Sequence, residues 1–179
     1  YFSRDVNMLA AFERGESIHR DTAAQTGIPY DYAKTFNYAM IYGADSSVIA
    51  DHTRLRDIGL INYWLDLWKS AYPEASRWIT QQRYDGPREG YVETMYGRKI
   101  RIPWEKGEKH AENCSVNFPI QGTAAEIFKL MMLECPMEPM RLQVHDELLL
   151  DGRIELPDSL PYVSPIYTPI EWEYQERWK

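Results

Sequence analysis

Apolar residues recur at helical spacing through the first half of the chain. Val6, Leu9, Ala10 and Phe12 predict a helix over residues 5 to 14. Ser17 as N-cap and Gly27 as a stop bracket a second helix. In "PYDYAKTFNYAMIYG" Pro29 and Asp31 suit a helix start and Gly43 its end, which gives a third. A longer helix is predicted from Leu60 to Arg83, bent or interrupted near Pro73. The pattern then changes. Tyr91 to Met95 and Lys99 to Ile102 alternate around Tyr96-Gly97, as in a short β-hairpin. Helical spacing returns from His110 to about Met132, with Pro119 as a candidate kink. "RLQVHDELLL", residues 141 to 150, predicts a second hairpin, apolar enough for a buried strand yet carrying His145, Asp146 and Glu147 in its middle. A proline-rich tail from Pro157 ends in a predicted strand, "YTPIEWEYQERW". The order is that of an α+β chain.

Composition narrows the classes. With 179 residues, 44% hydrophobic and 13% aromatic, the chain suits a folded core, as one domain or two small subdomains. No stretch approaches the roughly 18 to 20 apolar residues that cross a bilayer. The start is charged throughout and has no signal-peptide layout; it also lacks Met, as a fragment would. Cys114 and Cys135 are too few for a disulfide framework and lie in no metal-type cluster, which favours a reducing interior. The net charge of −7 points away from a simple basic nucleic-acid binder. It leaves room for an enzyme with a local basic cleft and acids gathered around a divalent metal.

Three stretches carry candidate chemistry. Asp146 and Glu147 are adjacent, and strand neighbours point to opposite faces, so both reach one metal only at a tight turn or bulge. An exposed hairpin turn explains the two acids equally well. In "KTFNYAMIYG", Lys34, Tyr38 and Tyr42 fall at i, i+4 and i+8 and share one helix face. An ammonium suits phosphate oxygens, and an aromatic shelf beside it suits a stacked base. The ordinary alternative is a snorkelling lysine beside two half-buried tyrosines. In "NFPIQGTAAEIFK", Asn117 and Gln121 are amides one turn apart. They suit reading of minor-groove acceptors, or satisfaction of the backbone that Pro119 frees.

Taken in order, Lys34 with Tyr42-Gly43 eight residues on, then "NFPIQGTAAEI", then "QVHDE", resemble the family A DNA polymerases, the bacterial DNA polymerase I group with its phage and organellar relatives. "AAFERGESIHRDTA" and "GYVETMYGRKIRIP" add two supporting stretches, so the resemblance covers most of the chain. It implies a right-hand polymerase: helical fingers over residues 15–107, and an antiparallel-sheet palm from residues 1–14 and 108–179. The thumb and the first catalytic motif would lie outside the chain, N-terminal to it. It implies that Asp146 is a ligand of two Mg²⁺ ions, for which Mn²⁺ can substitute, with Glu147 an accessory acid and His145 beside the primer terminus. Lys34 and His19 would hold the incoming triphosphate, and Tyr38 and Tyr42 the nucleotide's sugar and base. Asn117, Gln121 and Gln143 would follow the minor groove of the primer–template end. The implied partners are primer–template DNA, dNTPs and a processivity or replisome factor, with no membrane. The implied setting is the cytoplasm of a bacterium or phage-infected cell, or an organelle.

The chain departs from the family pattern at several points. The second metal-binding aspartate and the glutamate that rejects ribonucleotides belong to the missing first motif. Tyr30 and Asn113 stand where arginines are usual, and the connections at "GIPYDYAK", "HTRLRDIG" and "ECPMEPMRLQ" are compressed. Single-subunit RNA polymerases share the lysine–tyrosine helix but usually carry Met at the Tyr38 position and Ser at the Glu147 position, so both residues favour DNA synthesis. A catalytically inactive DNA-binding relative is the other alternative. Tyr30 and Asn113 speak for it, and retention of Lys34, Asp146 and Glu147 speaks against it.

Overall fold

The computed structural model describes residues 1–135, 137–152 and 173; the predicted C-terminal strand lies outside them. The chain forms two compact units, Tyr1–Ile120 and Gln121–Lys179. The first contains α1 (Val6–Glu13), α2 (Ile18–Thr26), α3 (Tyr30–Tyr42), α4 (Ser46–Thr53), α5 (Ile58–Ala71), α6 (Pro73–Glu89) and an antiparallel hairpin, β1 (Tyr91–Glu93) and β2 (Lys99–Arg101). The unit boundary falls within α7 (Glu108–Glu134), and the second unit carries the antiparallel pair β3 (Met140–Val144) and β4 (Glu147–Leu150). The architecture is α+β, as the residue pattern predicts.

Proline and glycine set most of the boundaries. Gly27, Gly43 and Gly90 end α2, α3 and α6 in the left-handed conformation. Gly43 also permits close packing: a Cβ there would lie 1.9 Å from Asn113 Oδ1. The long helix predicted from Leu60 divides at Tyr72, whose φ of −128° and ψ of 69° are non-helical. A residue before proline is pushed from helical geometry, and Pro73 then starts α6 without losing a hydrogen bond it needs. One element differs from expectation. α4 was not predicted, although Asp45 caps it by accepting from the Val48 N–H at 3.1 Å. α7 continues through Pro119, as its helical spacing predicts.

Asp5 holds two helix starts together. Its Oδ1 accepts from the N–H groups of Asn7 and Met8 in α1, each at 3.1 Å. Its Oδ2 accepts from Glu74 and Ala75 at the start of α6, again at 3.1 Å. The carboxylate is buried, and it satisfies four donors that two helices leave open. Asn7 Nδ2 adds a bond to the Ala71 carbonyl at the end of α5, 2.7 Å away. Asp5→Ala is therefore expected to destabilise the protein by about 2–3 kcal/mol, the sum of two caps. Denaturant unfolding checks this, and a loss below about 0.5 kcal/mol, the range of an ordinary surface change, would contradict it.

Three apolar clusters fill the first unit. Ile28, Phe36, Ile49 and Ile61 pack under α3; Trp68, Tyr72, Ile79 and Val116 gather around α5 and α6; Val92, Ile102, Ala111 and Cys114 seat the first hairpin. Gly86 lets α6 and α7 approach, since a Cβ there would meet Ser115 Oγ at 2.4 Å. The second hairpin differs from the buried run its sequence suggested. None of its residues is fully buried, and Leu142 is 41% exposed. Among the described residues it is a two-stranded sheet, and two strands alone cover only part of their apolar side chains.

Candidate active site

α3 presents the predicted face. Tyr38 and Tyr42, one turn apart, are exposed with ring centroids 6.2 Å apart, and Lys34 Nζ lies 6.0 Å from the Tyr38 ring. From α2, His19 brings its ring to 5.7 Å from Tyr38. The four residues proposed for nucleotide contact thus form one cluster: an ammonium, an imidazole and two phenols. Burial, and after it the charge of Lys34, lowers the His19 pKa below its ordinary 6.5, so the ring is neutral at physiological pH. Tyr30, where an arginine was usual, opens α3 and is half exposed.

Behind this face lies a polar network that spacing alone did not reveal. Asn37 is 6% exposed. Its Oδ1 accepts from Trp68 Nε1–H at 2.7 Å and lies 3.1 Å from the Thr22 hydroxyl, and its Nδ2 lies 2.9 Å from His19 Nδ1. Thr22 Oγ1 is also 2.9 Å from the Tyr72 hydroxyl, which donates to Asp21 Oδ2 at 2.9 Å. Burial chiefly raises the Tyr72 pKa above its ordinary value, so the phenol stays a donor. Arg14 completes the line with a 3.0 Å ion pair to Asp21. The one sequence signal was an amide, Asn37, on the apolar side of α3 between Phe36 and Tyr38.

In the second unit the strand register puts His145 and Asp146 in a two-residue turn, with Val144 opposite Glu147. His145 has φ 53°, the left-handed conformation such turns require. Asp146 lies in this turn and Glu147 follows it as the first residue of β4, and both are exposed. Gln143, on β3, donates from Nε2 to the His145 carbonyl at 2.7 Å, which braces the turn. Among the described residues no group of three or more His, Cys, Asp or Glu is arranged for a metal. Two carboxylates supply hard oxygen donors of the kind Mg²⁺ prefers, and that ion ordinarily completes its shell with water and substrate phosphates. The donor chemistry therefore fits one side of a Mg²⁺ site.

Asn117 and Gln121 lie one turn apart on α7, on either side of the unit boundary. Asn117 Oδ1 is buried with no hydrogen-bond partner among the described residues. Such an acceptor costs about 1–3 kcal/mol while it stays unpaired. Asn113 packs its amide against Gly43 instead of offering a cation. A cavity of 330 Å³ elsewhere in the first unit is lined by Asp85, Glu89 and Glu93 and by none of these residues. Its carboxylates make it a poor phosphate site.

The family model for DNA polymerase family A matches residues 1–159, and the chain belongs to that family. The thermostable DNA polymerase I of Thermus aquaticus is 29% identical over 201 residues, covering 97% of this chain and 24% of that protein. DNA polymerase I of Deinococcus radiodurans is 32% identical over 182 residues, covering 87% of this chain and 18% of that protein. The POL domain of Pol1 from M. smegmatis, solved in complex with DNA primer-template and dNTP, has 25% identity and a TM-score of 0.72, covering 84% of this chain and 30% of that one. The chain thus spans about a quarter or less of these curated relatives. The T. aquaticus match is also longer than the 179 residues here, so that relative carries segments this chain lacks. No helix among the described residues is long and apolar enough to cross a membrane.

Proposed function

We propose that the protein carrying this chain performs template-directed DNA synthesis, adding dNTPs to the 3′-hydroxyl of a primer. The observation that supports this best is the Lys34–His19–Tyr38–Tyr42 cluster on α2 and α3, in a chain of this family. Lys34 sets its charge toward the β- and γ-phosphates, His19 donates to them, and the two tyrosines support the sugar and base. The 3′-hydroxyl gives up its proton to solvent as its oxygen attacks the α-phosphorus, a new P–O bond forms, and the bond to pyrophosphate breaks. Asp146 and Glu147 would hold Mg²⁺, which supplies a lowered pKa for the attacking hydroxyl and charge for the leaving pyrophosphate. His145 lies by the primer terminus. Asn117, Gln121 and Gln143 follow the minor groove, where a guanine amino group is a donor that a side-chain amide oxygen can take.

In this reading residues 15–107 are fingers, and residues 1–14 and 108–179 belong to the palm. The fingers close on a correct pair and exclude water. The bacterial relatives favour a bacterial or phage-infected cytoplasm as the setting. Tyr38 and Glu147 favour DNA over RNA synthesis. The inactive-module reading keeps its support in Tyr30 and in the Asn113 amide, which is turned to packing rather than to phosphate.

Tyr38 gives a specific test. Its hydroxyl supplies the hydrogen bond that a missing nucleotide 3′-hydroxyl would have made. Tyr38→Phe is expected to raise discrimination against dideoxynucleotides by about 10- to 100-fold, the worth of a hydrogen bond near a charged group. Competitive primer extension with paired dNTP and ddNTP reads the ratio, and an unchanged ratio sinks this role.

A further inference from the structure

We infer that Asn37, oriented by Trp68, fixes His19 as the neutral Nε2–H tautomer, so that its outer nitrogen is a permanent hydrogen-bond donor. The inference extends the reading in which His19 touches the incoming triphosphate. Its logic is a chain of one-way hydrogen bonds. An indole N–H only donates, so the atom of Asn37 that lies 2.7 Å from Trp68 Nε1 is the carbonyl oxygen. The other end of the amide is then NH₂, which also only donates, and it faces His19 Nδ1 at 2.9 Å. Nδ1 must therefore carry a lone pair, and the single ring proton sits on Nε2.

The surroundings agree. His19 is the second residue of α2, where the helix dipole disfavours an added positive charge. Lys34 and Tyr38 face it from α3, while Asp21, Tyr72 and Arg14 stand at the far end of the Thr22–Asn37 line. A protonated ring would turn an Nδ1–H against the NH₂ of a buried amide whose flip would strand the Trp68 donor. A neutral donor has a use beside a triphosphate, because its contact does not change as pH crosses the ordinary imidazole range. Asn37 and Trp68 are positioning residues that act through His19.

Histidine ¹⁵N and ¹³C NMR of the intact protein tests this directly, with His19 assigned by its loss in His19→Gln. The expected signature is protonated Nε2 and unprotonated Nδ1. A protonated Nδ1 in the wild-type protein overturns the inference without any variant having to fold. Asn37→Asp places a carboxylate against Nδ1 and is expected to move the proton there. The dNTP KM should then rise about 10- to 100-fold at about pH 8.5 and recover toward about pH 6, where the imidazolium regains its Nε2–H. Trp68→Phe frees the amide to flip and should give a mixture of tautomers. A merely structural loss would raise KM equally at both pH values, and that result overturns the positioning role. An intact tautomer switch with unchanged KM would instead overturn the triphosphate contact of His19 and leave the tautomer assignment standing.

Discussion

Asp146→Ala in the intact protein is expected to lower primer extension at least about a thousandfold, some 4 kcal/mol of transition-state stabilisation. The residue sits in an exposed two-residue turn opposite no apolar partner, so the substitution should leave folding within about 0.5 kcal/mol of wild type. Primer–template binding should survive, because the contacts assigned to the minor groove come from other residues. Asp146→Asn sharpens the test by keeping the shape and removing the charge that a divalent ion requires. Retention of extension within about tenfold in both variants would remove Asp146 from the site, since that is less than about 1.4 kcal/mol.

Lys34→Ala is expected to cost about 10²- to 10³-fold in kcat/KM for dNTPs, the scale on which one positioned electrostatic group acts. Lys34 is exposed on α3, and the Tyr38 ring keeps its stem company at 6.0 Å from Nζ, so the loss is one of charge rather than of packing. Lys34→Arg should recover only part of the rate, because a planar fork does not place its charge where a compact ammonium does. Steady-state kinetics with saturating primer–template checks both. Equal kcat/KM for wild type and Lys34→Ala would show that the cluster on α2 and α3 does not hold the triphosphate.

Much of the helical unit was legible because its punctuation is local. Gly27 and Gly43 end helices where a residue tolerant of positive φ fits, and Pro73 divides α5 from α6. The Lys34–Tyr38–Tyr42 face followed from helical period alone. α4 was missed because "DSSVIADHT" is short and half polar, and its one strong signal, the Asp45 cap, needs the following turn to be helical before it means anything. The hairpin over 141–150 was legible as a hairpin, but not in its exposure: an apolar run reports that cover is wanted, not how much two strands provide. The network behind His19 was illegible for another reason. Asn37 and Trp68 are 31 positions apart, Thr22 and Tyr72 are 50 apart, and no period in the sequence links them. Packing of α2, α3 and α5 brings them together.

The most direct measurement is single-nucleotide extension by the intact protein with Mg²⁺, using four primer–templates that differ only in the templating base and each dNTP alone. The account predicts incorporation of the complementary nucleotide on each template and its loss in Asp146→Ala. Tight primer–template binding with no incorporation, or incorporation that ignores the templating base, would contradict it.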